Sequence, residues 1–265
     1  MVVGTVAIIL LCCILLFLDR YRSAMVQSAR TSSSQAVSQV SNTVGSYLRD
    51  MGQAMELVEQ SVSESGESRD WLLAAFLKYR PDVVAVTSYS AGGELLDCWS
   101  PGREPRENIF QNLSFALGTA REREGAYMTA PHVETIFEGY YPWVVTMTAP
   151  LEGGGEAAWV SLDISFSSIS SYLKNVSIGQ RGYCFLMDRE GNIVYHPQQQ
   201  LLYAGLKSED TEALAALEDG DYADDTVIYC LASVEGSDWR AVGVRYVDEL
   251  VNRNVSDMLR RSCLL

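Results

Sequence analysis

A chain of 265 residues has room for one or two domains, and its 48% hydrophobic content supplies a packed core. A formal charge of −14 excludes a nucleic-acid partner, whose phosphates would be repelled, and disfavours peripheral attachment to anionic lipid. The six cysteines are scattered without a C-x-x-C pair, so no metal site is expected; they read as buried or unpaired thiols, with a disulfide as the alternative.

Val2–Leu18 (VVGTVAIILLCCILLFL) carries no charge and lies at the lower limit of length for a membrane span. No basic residue precedes it and no small-residue cleavage site follows, so it reads as an uncleaved anchor (residues 1–18) rather than a signal peptide. Residues 19–63 are expected to form a long stalk helix. Val37, Val40, Val44, Leu48, Met51, Met55, Val58 and Val62 recur at steps of three and four, which places them on one stripe. That stripe suits a homodimer seam as well as packing on the chain's own core. Asp70–Tyr79 is expected to be a short helix with Asp70 at its N-cap, ended by Pro81.

Val83–Tyr89 and Glu94–Trp99 form a predicted hairpin about Ser90–Gly93. Asn108–Glu124 is expected to be partly helical, and Tyr127–Thr129 a short strand. Trp143–Ala149 and Trp159–Ile164 are strong strand signals joined through Gly153–Gly155. A helix follows at Ser165–Leu173. Tyr183–Met187 and Ile193–Tyr195 then form a second hairpin about Asp188–Asn192, stopped by Pro197. Ser208–Leu217 is expected to be helical, Val227–Ala232 and Trp239–Tyr246 to be strands, and Val247–Leu259 a C-terminal helix leading towards a second span. Each half holds a hairpin followed by a later strand pair, a weak internal repeat.

No H-E-x-x-H, G-x-S-x-G, phosphate-binding or dinucleotide motif is present, and the only histidines are His132 and His196. Asp219, Asp221, Asp224 and Asp225 lack the spacing of a calcium loop and read as a solvated acidic turn. A small-ligand site lined by aromatics and a few polar groups fits better. Its candidate residues are Tyr89, Trp99, His132, Glu134, Tyr141, Trp143 and Asp163. Asp163 ends an apolar strand, where a carboxylate would accept hydrogen bonds from a ligand amine. The competing reading makes it the cap of the helix that follows.

The segment Gly182–Pro197 (GYCFLMDREGNIVYHP) resembles the membrane-proximal half of double Cache domains, the PAS-like extracellular sensors of bacterial histidine kinases and chemoreceptors. The resemblance extends over most of residues 64–250. It implies an α+β fold: a membrane helix, the long stalk helix, then two PAS-like antiparallel sheets with flanking helices. The distal subdomain would span residues 64–175, the proximal one 176–246, and a C-terminal helix 247–265.

In family members that bind amino acids, an aspartate matching Asp163 takes the ligand amine, and Pro131–Glu134 matches a second binding segment. The Arg-x-Trp segment that grips the ligand carboxylate has no counterpart near Gln111–Phe115, so an amine or a related ligand is expected as readily as an amino acid. The resemblance thus implies a non-enzymatic, extracytoplasmic ligand sensor of a membrane receptor, expected to drive a histidine kinase, without a cofactor. An anchored solute-binding or adhesive exoprotein and an anchored hydrolase are the alternatives.

Overall fold

The computed structural model describes residues 2–64, 66–106, 121–123, 125–152, 155–174 and 176–249. Helix α1 (Val2–Ser63) runs without a break through both the anchor and the stalk of the sequence reading. Residues 1–41, 175–233 and 239–265 form one compact unit, and residues 42–174 and 234–238 form the other. The stripe residues of α1 are all buried within the chain, Val37 and Val40 in the first unit and Val44 to Val62 in the second. Burial there uses up the apolar face, so it does not form a seam with another copy.

The second unit is built on a seven-stranded antiparallel sheet. Its strands are β1 (Val83–Ser90), β2 (Leu95–Trp99), β3 (Arg121–Arg123), β4 (Ala126–Met128), β5 (His132–Val133), β6 (Trp143–Pro150) and β7 (Ala157–Ser165). The order is β2-β1-β7-β6-β4-β3, with β5 also on β6. Helices α2 (Glu67–Tyr79) and α3 (Phe166–Lys174) complete the unit. Gly66, not Asp70, precedes the first turn of α2; Asp70 lies inside that turn and accepts a hydrogen bond from Trp99 Nε1 at 3.0 Å. Asp82 locks α1 to the sheet: Tyr47 Oη donates to it at 2.9 Å, and Arg80 bonds both its carboxylate oxygens. Burial works against the charge, but Arg80 and Tyr47 hold Asp82 below the usual carboxylate range.

The first unit carries a five-stranded antiparallel sheet of β8 (Tyr183–Met187), β9 (Ile193–Tyr195), β10 (Gly220–Ala223), β11 (Val227–Ser233) and β12 (Arg240–Tyr246). Its order, β9-β8-β12-β11-β10, repeats β2-β1-β7-β6-β4 of the other unit: an opening hairpin, with the last strand inserted beside its first. The hairpin turn forms as its residues suggest. Asp188 Oδ1 accepts the amides of Glu190 and Asn192, and Gly191 takes φ of 88°. On one face of the sheet, α1 approaches so closely that a Cβ on Gly243 would collide with Val37.

The other face of that sheet is filled. Tyr183, Phe185, Met187, Leu231, Val242 and Val244 pack with Leu214 of α5 (Thr211–Ala215), a helix preceded in the chain by α4 (Gln199–Tyr203). Glu209 seals this core by accepting from Tyr183 Oη at 2.7 Å and from His196 Nε2 at 3.2 Å, with Lys207 Nζ 3.3 Å away. His196 Nδ1 accepts the Gln198 amide, so Nε2 carries the proton that bonds Glu209.

Several expectations need correction. The acidic segment around Asp221 is partly strand β10, and Asp219 accepts from the buried Arg240 rather than facing only solvent. The reading of unpaired thiols, by contrast, holds for Cys98, Cys184 and Cys230. Cys184 and Cys230 both pair with Gly243, so a whole strand lies between them, beyond the reach of a disulfide. Arg121–Arg123 is strand β3, while the rest of the helix expected over 108–124 lies outside the described residues. Nearly all of the helix expected over 247–259 lies outside them too. Among the described residues no helix is long and apolar enough to cross a membrane.

Candidate ligand-binding site

Strand pairing decides which side chains share a face, because directly opposed residues point the same way. In the seven-stranded sheet Asp163 on β7 lies between Ala85 on β1 and Thr146 on β6. The next row along is Thr87, Ser161 and Thr148, with Cys98 opposite Thr87 on β2. Beyond it lie Tyr89 and Trp159. His132 pairs with Val144, in phase with Thr146, and joins the same face.

This face sets polar groups beside an apolar cluster of Ala85, Val144, Ile136 and Phe137, where the matching face of the five-stranded sheet is greasy throughout. Asp163 is 3% exposed and Glu134 is 2% exposed. Thr146 Oγ1 donates to Asp163 Oδ1 at 2.5 Å, and the Glu134 carboxylate acts on the same Asp163 side chain. Glu134 Oε1 also accepts the amides of Thr135 at 2.6 Å and Ile136 at 2.8 Å. His132 bridges the hydroxyls, with Nδ1 3.3 Å from Thr129 Oγ1 and Nε2 3.4 Å from Thr146 Oγ1. Thr87 Oγ1 lies 3.3 Å from Tyr89 Oη.

Burial and the adjacent Glu134 push Asp163 well above the usual carboxylate range. Burial, then Asp163 and Glu134, push the Cys98 thiol up to about 12, so that it stays protonated and unreactive. Burial and Asp163 likewise raise Tyr89. Two acids are thus held on one buried face. Among the described residues no group of three or more His, Cys, Asp or Glu side chains is placed to hold a metal ion.

A family model for the Cache domain, of the double type, matches residues 21–253. The chain belongs to the Cache domain family. Solved Cache structures share its fold. The ligand-binding domain of the Pseudomonas fluorescens chemoreceptor CtaA, in complex with L-leucine, is 14% identical with a TM-score of 0.62, covering 86% of this chain and 99% of that one. That of the Pseudomonas aeruginosa amino-acid chemoreceptor PctC, in complex with GABA, is 15% identical with a TM-score of 0.56, covering 81% and 98%. The extracellular domain of a histidine kinase, vpHK1S-Z8, is 10% identical with a TM-score of 0.61, covering 88% and 96%. The methyl-accepting chemotaxis protein PscA of Pseudomonas syringae pv. tomato is 21% identical over 69% of this chain, a match that spans 29% of PscA.

Within this Cache fold the seven residues singled out by sequence separate into two groups. Asp163, Glu134, His132 and Tyr89 come together on the polar face. Trp99 does not: it pairs with Val86, on the opposite face, where Arg69 lies 5.0 Å over its ring and Asp70 takes its Nε1 proton. Trp143 pairs with Val133, out of phase with Thr146, and is 48% exposed. Tyr141 is exposed and engaged by Arg106, whose Nη2 donates to its hydroxyl at 2.6 Å. Asp163 does not cap α3, which begins at Phe166; its carboxyl turns to the sheet face instead. Thr146, Thr129, Thr87 and Cys98 were missed. The alternation Thr146-Met147-Thr148 was the visible signal for Thr146, since hydroxyls two residues apart share one face of a strand.

Proposed function

We propose that this chain is the extracytoplasmic, membrane-anchored sensing domain of a receptor, and that the seven-stranded unit binds a small ligand through an ammonium group. The observation that carries this reading is the contrast between two sheets of one plan. One face is packed solid by Phe185, Met187, Val242 and Leu214; its counterpart presents Asp163, Glu134 and threonine hydroxyls. Burying two acids costs folding energy unless something positive offsets it. The ligands named for related structures, GABA and L-leucine, each carry an amine. In this reading residues 64–175 are the membrane-distal subdomain and 176–246 the proximal one. Trp99, Tyr141 and Trp143 contribute support or rim rather than floor.

Membrane attachment rests on the start of α1. Ile8, Ile9, Leu10, Leu11 and Ile14 to Leu18 are all at least half exposed, on every side of the helix. An apolar helix exposed all round belongs in lipid. Seventeen residues from Val2 to Leu18 reach about 26 Å, short of the roughly 30 Å of hydrocarbon, a mismatch that bilayers absorb by thinning. A homodimer through α1 uses the face away from the buried stripe, where Leu57 is exposed. The domain binds rather than catalyses: His196 is spent on Glu209, and His132 contacts threonines and a carbonyl. The output is a histidine kinase; methyl-accepting signalling is the second reading, favoured by the match to PscA.

A thermal-shift screen of the full chain in detergent against amines, amino acids, organic acids and sugars tests the ligand class. Amines and amino acids are expected to raise the melting temperature, and Asp163→Ala to abolish the rise while leaving a folded protein. A rise with sugars or organic acids alone, or one that survives Asp163→Ala, would overturn the site.

A further inference from the structure

One residue in five of this chain is charged, yet residues 197–206 (PQQQLLYAGL) carry no charge at all. They lie on the surface of the five-stranded unit. Tyr203 is 76% exposed, Leu206 78% and Leu201 41%, and Ala204 and Gly205 between them are exposed too. Surface leucines scattered singly need no explanation, but three large apolar side chains so close together make a patch. The backbone of this tip is closed on itself. Leu201 O accepts the amides of Leu206 at 2.9 Å and Lys207 at 3.2 Å, and Leu202 O accepts that of Gly205 at 3.0 Å. Gln199 Nε2 donates to Tyr203 Oη at 2.9 Å. Polar groups satisfied internally let such a tip leave water at low cost.

The ladder shows which end of the sheet bears the tip. Ser41 Oγ donates to Ser233 O, and Ala29 O accepts from Arg245 Nη1 at 3.3 Å. Strand β12 begins at Arg240, opposite Ser233, and ends at Tyr246, opposite Val227. The start of α1 therefore lies towards the Tyr246 end. There the turn between β10 and β11 comes up to α1, with Asp225 Oδ1 4.0 Å from Arg22 Nη2. Arg22 is one helical turn beyond Leu18, about 6 Å, which is the depth of one headgroup layer. Tyr183 pairs with Val244 in the same half of the sheet, and Lys207 Nζ donates to its hydroxyl at 2.6 Å. That bond holds the neighbouring Leu206 near the end of the sheet that faces the apolar start of α1.

We propose that Leu201, Tyr203 and Leu206 form a second lipid contact, seated among the headgroups beside the α1 anchor. The proposal rests on the membrane attachment argued above. Tyrosine and leucine suit the interface between headgroup and acyl chain. The lipid is zwitterionic: the neighbouring cation, Lys207, is turned inward to Tyr183 and Glu209, and the chain's charge of −14 opposes an anionic surface. Held at α1 and again at this tip, the five-stranded unit keeps one orientation on the bilayer.

Tryptophan emission tests the contact. The full chain is reconstituted into phosphatidylcholine vesicles with plain or brominated acyl chains and recovered by flotation. Leu206→Trp and Tyr203→Trp each add a ring at the tip, and the wild type sets the baseline for the native tryptophans. Leu57→Trp adds an exposed ring about 58 Å along α1 from Leu18. The emission added at 206 and 203 is expected to shift to the blue and to be quenched by brominated lipid, and that added at 57 to be unaffected. Tip emission that stays unquenched in floated protein, or is quenched no more than that of Leu57→Trp, overturns the contact and leaves the anchor standing. A blue shift without quenching that grows with the protein-to-lipid ratio assigns the tip to a second copy of the chain and overturns the contact as well. A chain that does not float with the vesicles overturns anchor and contact together.

Discussion

At Asp163, position and chemistry are set by different neighbours. The strand ladder puts it beside Thr146, and burial, then Glu134, push its carboxyl well above the usual carboxylate range. The folded group binds its proton more tightly than the unfolded one, whose value is 3.8. Its contribution to stability is therefore complete below about pH 3.8 and is lost as pH rises through the folded value. Asp163→Asn, which cannot ionise, is expected to make the empty protein more stable than wild type above neutrality, by on the order of 1–3 kcal/mol, while destroying ligand binding. Chemical denaturation at pH 5 and pH 8 measures this; an equal difference at both would refute it. Thr146→Val should weaken ligand binding by roughly tenfold, through loss of one donor to a charged group, as calorimetry would report. Trp99→Ala should leave affinity unchanged and cost about 0.5–3 kcal/mol of stability, because the ring serves Arg69 and Asp70 of α2. That last residue shows where reading a sequence stops. Asp163 announces itself as an acid at the end of an apolar strand, and Glu134 through the resemblance of Pro131–Glu134 to a Cache binding segment. The face of Trp99 depends on strand register, which slips at a bulge between Ser88 and Tyr89, and one residue of slip reverses every side chain.

The elements that position the site were legible in proportion to their periodicity. The eight-residue stripe of α1, the β6–β7 pair and the Asp188–Asn192 turn all follow from spacing and turn chemistry. Strand β10 did not, because Gly, Asp, Tyr and Ala make a poor strand in isolation and only the ladder to β11 holds them extended. Two predictions belong here. Gly243→Val drives a branched side chain into Val37 and Ile178 and should cost about 1–3 kcal/mol or more, seen as loss of the five-stranded unit's protection in hydrogen exchange. Glu209 is the acid latch of that unit. Burial works against its charge, but His196, Tyr183 and Lys207 hold it below its usual 4.5. Its stabilisation is present above about pH 4.5 and fades as pH falls through the folded value, so Glu209→Gln should flatten acid unfolding in that range. An unchanged acid midpoint in the variant would show that the latch bears no weight.

For the molecule as a whole, one strand order has been used twice to opposite ends. In the five-stranded unit the sheet face opposite α1 is closed by Leu214 and by the Glu209 network; in the seven-stranded unit the face that bears Asp163 mixes buried polar groups with the Ala85–Val144–Phe137 cluster. The apolar start of α1 is the proposed membrane anchor, and on that proposal replacing Ile9 and Leu15 with Lys should release the chain from membranes into the soluble fraction. Which unit receives the signal is settled by hydrogen exchange of the full chain with and without the amine that gives the largest thermal shift. Slowed exchange in β1, β6, β7 and residues 132–136, with β8 to β12 unchanged, is the expected pattern. Slowing confined to β8 to β12 would place the ligand on the sheet described here as filled, and would contradict the assignment of the site.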